Sequence, residues 1–84
     1  MSEEQLIGEV FRYYEDKGMV YFKVFDGLTT GQTLHFKDPD GDYYQTIDEI
    51  QVASQTLHNA YPGDYVGIRV GQKLHEHDQV FVRN

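Results

Sequence analysis

The feature that most constrains the fold is the placement of eight glycines, which divide the 84 residues into short runs rich in valine, isoleucine, threonine and aromatic residues. Such residues favour strands, whereas alanine, the best helix former, occurs only at Ala53 and Ala60. Short β-rich runs between turn signals indicate an all-β barrel or sandwich. The predicted strands are Gly8–Tyr14, Met19–Phe25, Thr33–Lys37, Tyr43–Val52, Gln55–Leu57, Tyr65–Val70 and Gln79–Arg83.

Alternation of apolar residues within these runs predicts which side chains face the core, because successive side chains of a strand point to opposite faces. The predicted inward set is Val10, Val20, Phe22, Val24, Leu28, Leu34, Phe36, Ile47, Ile50, Val66, Ile68, Val70, Val80 and Val82. Val10 and Phe11 are adjacent, which breaks the alternation. We therefore expect either that one of them faces outward or that a β-bulge interrupts the strand.

The length fits one domain. We expect residues 1–5 to be a flexible tail and residues 6–84 to be a single β-barrel domain. The start of the chain lacks the basic and long apolar segments of a secretory signal, and no apolar run is long enough to cross a membrane. The absence of cysteine removes disulfides and thiolate metal sites. We expect a cytoplasmic protein. Because so small a core has no disulfide to stabilise it, the chain could also form a homo-oligomer.

The charge balance bears on the partners. Seven Lys and Arg oppose fourteen Asp and Glu, which gives a net charge of -7. Nucleic-acid binding depends on cations that neutralise phosphates, so RNA, DNA and anionic membranes are disfavoured as partners. A local cluster of Arg12, Lys23, Arg69 and Arg83 on one face would restore the RNA hypothesis.

Several motifs, taken in order, resemble a known family. The matching segments are Ile7–Val10 followed by Tyr13-Tyr14, Gly18–Val20, Asp26–Gly31, Gln45–Gln51, Ala60–Ile68 and Glu76–Val80. Together they resemble the β-barrel that forms the second domain of translation elongation factors, the stand-alone elongation-factor-like proteins, and the C-terminal module of U32-type peptidases. Gln32 and His77 depart from the pattern, since Asp and Gly are usual there. His77 is the more consequential change, because His adopts a positive φ less readily than Gly.

The resemblance implies a small closed β-barrel of six to seven strands. It does not imply GTP binding, because the nucleotide domain of the factors is absent and no glycine-rich phosphate loop ending in Lys and Ser or Thr occurs. In the full factors this barrel helps to hold the aminoacyl end of tRNA, but the pocket cannot be placed on residues of this chain. We carry over the fold only.

Four exposed-strand residues are the candidate binding residues: Tyr14, Tyr44, Arg69 and Phe81. In the Tyr13-Tyr14 and Tyr43-Tyr44 pairs one ring should face the core and the other the solvent. Outward rings can stack on bases or anchor a protein partner. Phe25 and Tyr21 are further signs of a contact surface.

Two motifs contain metal-ligand residues, yet neither supports a metal site, and we predict no cofactor. The Asp38, Asp40, Asp42 and Glu49 spacing resembles a calcium loop, but Tyr43 stands where the loop needs Gly. His75 and His77 would share a face only on a strand, and zinc needs three or four ligands. No residue pattern indicates a nucleophile, and the acids lie mostly in turns, so we predict that the chain is not an enzyme.

We therefore predict a non-enzymatic binding module that acts on a protein or ribonucleoprotein partner. The alternatives are an RNA- or tRNA-binding accessory of translation and a detached accessory module of a U32-type peptidase. Gly63 precedes the strand that begins at Tyr65, and we expect it to adopt a positive φ.

Overall fold

The computed structural model describes residues 4–83. This part of the chain folds into β-strands joined by turns and short loops, so the all-β prediction is confirmed. Ten strands are present, three more than predicted. They are β1 (Glu4–Tyr14), β2 (Met19–Val24), β3 (Leu28–Thr29), β4 (Thr33–Asp38), β5 (Gly41–Thr46), β6 (Ile50–Val52), β7 (Gln55–Leu57), β8 (Asn59–Ala60), β9 (Tyr65–Arg69) and β10 (Gln79–Arg83).

Eight strands form one antiparallel sheet in the order β5-β4-β10-β1-β2-β9-β6-β7, and β3 pairs with β8 separately. The long predicted strand Tyr43–Val52 is divided into β5 and β6, because the chain leaves the sheet over residues 47–49. Within the described residues β5 and β7 each have a strand on one side only. The closed barrel is therefore not confirmed: the sheet curves around a core but stays open at β5 and β7.

The core confirms the predicted inward set, since all fourteen residues are buried. Three further apolar side chains join them: Ile7, Ala60 and Leu74. Met19 is also buried, but on the outer side of the sheet, where it lies beside Tyr21. Tyr13 and Tyr43 pack against this core, as the alternation within the tyrosine pairs requires. At about 25 cal/mol per Å² of buried apolar surface, these side chains are the main favourable contribution to folding.

A β-bulge resolves the conflict between Val10 and Phe11. The register between β1 and β2 shifts between Val10 and Arg12, so Val10 stays in the core while Phe11 is 60% exposed. The turn before β10 bonds to β1 at this bulge. The Val10 N–H donates to the Asp78 carbonyl at 2.8 Å, and the His77 N–H donates to the Val10 carbonyl at 2.8 Å.

Gly63 and His77, the two turn residues whose backbone conformation the sequence analysis raised, both have a positive φ. Gly63 has a φ of 94°, which confirms the predicted turn. His77 adopts a φ of 76°, a left-handed conformation that His enters less readily than Gly. Its N–H bond to β1 and the contact of its Nδ1 with Glu9 Oε1 at 3.0 Å support this strained backbone.

The tail prediction needs a correction, because β1 already begins at Glu4. Glu4 pairs with Arg83 of β10, and its carboxylate oxygens lie 2.8 and 2.9 Å from His35 Nδ1. Strand pairing and a side-chain bond therefore order Glu4 and Gln5. Residues 1–3 of the predicted tail lie outside the described residues.

Candidate functional site

The four candidate binding residues separate into two pairs on different parts of the outer sheet surface. Tyr14 and Arg69 both neighbour Met19, since Tyr14 pairs with Met19 across β1 and β2 and Met19 pairs with Arg69 across β2 and β9. Tyr44 and Phe81 both neighbour His35, through the β4–β5 and β10–β4 pairings. The structure thus brings together two pairs rather than one site of four.

The first surface is the outer face of β1, β2 and β9, which we call the tyrosine face. Directly paired residues of antiparallel strands share a face, so the register places these side chains in three rows. The rows are Glu9-Lys23-Tyr65, Arg12-Tyr21-Gly67 and Tyr14-Met19-Arg69, and the bulge adds Phe11. Tyr21 occupies the centre because Gly67 leaves room for its ring: a Cβ on Gly67 would lie 2.6 Å from Tyr21 Cε2.

Rings and cations alternate on the tyrosine face. The Tyr14 ring meets Tyr21 edge-on with centroids 5.2 Å apart, and the Phe11 ring meets Tyr65 at 6.0 Å. Each of three cations lies over a ring: the Arg12 guanidinium over Tyr14 at 5.9 Å, Lys17 Nζ over Tyr14 at 5.3 Å, and Lys23 Nζ over Tyr65 at 6.0 Å. These are cation–π distances.

The tyrosine face departs from the charge of the whole chain. Strands β2 and β9 contain no acidic residue, while Arg12, Lys17, Lys23 and Arg69 supply four of the seven cations. On β1 Glu9 lies in the same row as Lys23, and Glu15 and Asp16 lie in the turn beside Lys17. Three members of the predicted cationic cluster are therefore on this face. The fourth, Arg83, pairs with Glu4 at the other end of β1, and its Nε lies 3.5 Å from Glu4 Oε2.

An exposed aromatic group extends the tyrosine face toward the turn before β10. Phe11, Phe25 and Tyr65 are each more than half exposed and, with Lys23 and His77, line a shallow depression of about 380 Å³. The sequence had singled out Phe25 but not Phe11 or Tyr65. The break in alternation at Val10 and Phe11 was the signal that could have identified Phe11.

The second surface, which we call the histidine face, is the outer face of β5, β4, β10 and the start of β1. One row across these strands consists of Tyr44, His35, Phe81 and Leu6. Tyr44 stacks on His35 with centroids 4.4 Å apart and an angle of 15°, and Phe81 approaches the same imidazole at 6.0 Å. His35 is consequently only 4% exposed although it lies on the outside of the sheet.

Carboxylates meet both ring nitrogens of His35. Glu4 contacts Nδ1, while Asp42 Oδ2 lies 3.3 Å from Nε2 at an angle that forms no hydrogen bond. The Arg83 guanidinium lies over the Tyr44 ring at 5.3 Å and completes this set. The sequence did not identify His35 as a surface-organising residue, because alternation alone gives no sign that two rings cover it.

A buried carboxyl pair lies beside these faces. Asp38 and Asp78 are both buried, the Asp38 Oδ2 atom is 2.8 Å from His75 Nδ1, and Asp78 Oδ2 accepts from the His75 N–H at 3.0 Å. Burial and the hydrogen bond with Asp38 raise the pKa of Asp78 to about 6. The same bond, with help from His75, lowers the pKa of Asp38 to about 2. The bond to Asp38 raises the pKa of His75.

The structure assembles neither of the two metal-ligand motifs of the sequence as a whole, although it brings residues of both motifs together. Asp38 turns inward and accepts from the Asp40 N–H, whereas Asp42 contacts His35 instead. His75 contacts Asp38 and His77 contacts Glu9, so the two histidines do not converge. Among the described residues Asp38, Asp40 and His75 form the one group with ligand atoms close together, and it includes neither Glu49 nor His77.

The fold is similar to that of a domain of known structure. The C-terminal domain of a U32 peptidase from Geobacillus thermoleovorans matches with a TM-score of 0.86 and 20% identity, over 95% of this chain and 93% of that one. Its selenomethionine variant matches with a TM-score of 0.84 and 20% identity, over 90% and 96%. No protein-family model and no curated protein sequence matches the chain.

These matches show that the chain shares its fold with the C-terminal domain of a U32 peptidase, one of the proteins that the sequence resembles. The resemblance to the second domain of elongation factors is not shown. In residues 4–83 no helix is long and apolar enough to span a bilayer.

Proposed function

We propose that this chain is a non-enzymatic accessory binding module that acts on its partner through the tyrosine face. The observation that carries the proposal is the concentration of four exposed or half-buried rings and three cations on three neighbouring strands of an acidic chain, with a fourth cation, Lys17, in the turn that joins two of these strands. Tyrosine and arginine are enriched where protein surfaces bind partners.

The fold supports an accessory role. A domain of the same fold forms the C-terminal part of a U32 peptidase, where it is one unit of a larger protein. By analogy we propose that this module contributes binding to a larger assembly, such as a partner enzyme, in the cytoplasm.

A second candidate function is the binding of single-stranded nucleic acid by the same face. Arg12, Lys23 and Arg69 lie together there, which is three-quarters of the cluster that the sequence required for this hypothesis. Rings stack on bases while cations neutralise phosphates. The net charge of -7 opposes this binding at long range, so its affinity should depend steeply on salt.

Affinity capture from native lysate tests both candidates. Three tagged proteins are compared: the wild type, an Arg12→Glu/Lys23→Glu variant, and a Lys73→Glu control whose exposed side chain lies outside the face. The accessory module predicts a partner that survives nuclease, is retained by the control and is lost by the double variant. A nuclease-sensitive association lost by the same variant would favour nucleic acid. Equal capture by all three proteins would contradict the assignment of the face.

A further inference from the structure

A cleft of about 320 Å³ lies between the open edge of the sheet at β5 and the end of β9. Its walls come from Gln45 and Thr46 of β5, from Asp48 and Glu49 of the loop before β6, and from Gly67–Gly71. Met19, Ile68 and Val70 supply the apolar part of its lining. Met19, Gly67 and Arg69 of this lining also belong to the rows of the tyrosine face.

Both edges of the cleft present main-chain groups that no strand covers. The Val70 N–H donates to the Gly18 carbonyl on the β2 side. Because N–H and C=O groups alternate in direction along a strand, those of Arg69 point the other way, toward the cleft. On the opposite edge Ile47 bonds to Gly31 and Gln32, so the N–H and C=O of Thr46 point away from β4. The Thr46 C=O accepts from Gln45 Nε2 at 3.0 Å, which leaves the Thr46 N–H available to a ligand.

The pairing between β6 and β9 ends where the cleft begins. Gln51 pairs with Gly67, and the same register continued would place Glu49 opposite Arg69. However, β6 starts only at Ile50, so the chains separate at this point. The cleft is thus a short gap between two antiparallel edges, the place where an extended peptide adds main-chain hydrogen bonds.

Charges of opposite sign face this gap without neutralising each other. Arg69 lies on one wall, and Asp48 and Glu49 lie on the other. Among residues 4–83 the structure gives none of these three side chains a hydrogen bond or an ion pair. A ligand with an ammonium group at one end and a carboxylate at the other would complement them.

The size of the cleft limits the length of the ligand. At about 30 Å³ per water molecule, the cleft holds about ten waters. One end is closed, because the Tyr43 hydroxyl accepts from the Gly71 N–H at 2.6 Å and donates to Gln45 Oε1 at 2.5 Å. A long strand would have to break these bonds, whereas a peptide of two or three residues would not.

We propose that this cleft binds a short zwitterionic peptide in extended form, with its ammonium group at Asp48 and Glu49 and its carboxylate at Arg69. The peptide main chain bonds to the N–H of Thr46 and to the N–H and C=O of Arg69, and an apolar side chain lies against Met19, Ile68 and Val70. The site shares Met19, Gly67 and Arg69 with the tyrosine face and differs from that face in the acidic wall of Asp48 and Glu49. It does not depend on the function proposed for the tyrosine face.

Titration of the ¹⁵N-labelled protein with L-alanyl-L-leucine tests the proposal. At usual ligand efficiencies a probe of about 14 non-hydrogen atoms gives a Kd of about 1 mM. The amide signals of Thr46 and Arg69 should shift and saturate together. The N-acetylated probe and the amidated probe, which lack one charge each, should bind about two- to fivefold more weakly, as expected for an exposed ion pair.

Variants of each wall show which wall binds the ammonium group of the probe and which binds its carboxylate. In Asp48→Asn/Glu49→Gln the free and acetylated probes should bind equally, and in Arg69→Gln the free and amidated probes should bind equally. A Glu76→Gln/Arg12→Gln control should keep both differences. The proposal is overturned if the shifts map elsewhere, if they do not saturate by about 20 mM, well above the Kd expected from ligand efficiency, or if both modified probes bind as well as the free dipeptide.

Discussion

Replacing Gly67 by Ala should destabilise the protein through one identifiable contact. The added Cβ would lie 2.6 Å from Tyr21 Cε2, 3.0 Å from Tyr21 Cζ and 3.2 Å from Met19 Cε. Overpacking of this kind costs about 1–3 kcal/mol. Alanine is better than glycine in a strand by about 0.5–1 kcal/mol, which offsets part of the cost. We therefore expect a net loss of about 0.5–2 kcal/mol, or roughly 2–16 °C in Tm.

A double-mutant cycle isolates the contact. In a Tyr21→Ala background the nearest ring atoms are gone, so Gly67→Ala should become neutral or stabilising by about 0.5–1 kcal/mol. The coupling energy between the two sites should be about 1–3 kcal/mol. Urea unfolding followed by far-UV circular dichroism measures it, since the chain has no tryptophan. If Gly67→Ala costs the same with and without the Tyr21 ring, the packing of Tyr21 on Gly67 is wrong.

Three further outcomes follow from single positions. Gly63→Val should lose about 1–3 kcal/mol from backbone strain at its φ of 94°, because its Cβ would meet nothing within 4 Å; a change within about 0.5 kcal/mol in urea unfolding would contradict the turn. Gly8→Ala should cost more than Gly67→Ala, toward the upper end of about 1–3 kcal/mol, because its Cβ would meet the Lys23 carbonyl at 2.8 Å; comparing the two urea midpoints tests this order. The pKa of Asp78, raised to about 6, means that stability falls as pH rises from about 4 through about 6, and Asp78→Asn should flatten this part of a melting-temperature profile; an unchanged slope would refute the shared proton.

The predictable part of the fold is the part that depends on alternation. Val20, Phe22 and Val24, like Val66 and Ile68, repeat every second residue, and burial follows from that period alone. The break in alternation at Val10 and Phe11 also predicted an irregularity in the strand, and the structure has a β-bulge there. Whether the barrel closes could not be predicted from the sequence, because closure depends on how the chain leaves the sheet at residues 47–49 and not on any local pattern.

The candidate site was predicted only as single residues. Tyr14 and Arg69 become neighbours through Met19, a register that no local spacing specifies. The carboxyl pair of Asp38 and Asp78 joins residues forty positions apart, so the sequence read Asp38 as part of a solvated turn instead. Alternation assigns a side chain to a face, whereas strand order decides which side chains on that face meet.

The central claim is that the partner lies on the tyrosine face, and site-specific photo-crosslinking tests it most directly. A benzophenone side chain is placed in turn at Tyr65 on the tyrosine face, at Tyr44 on the histidine face and at exposed Tyr61 as a control. Each protein is irradiated in native lysate and its adducts are identified. Our account predicts that Tyr65 crosslinks to the captured partner while Tyr44 and Tyr61 do not. Crosslinking from Tyr44 with none from Tyr65 would contradict it.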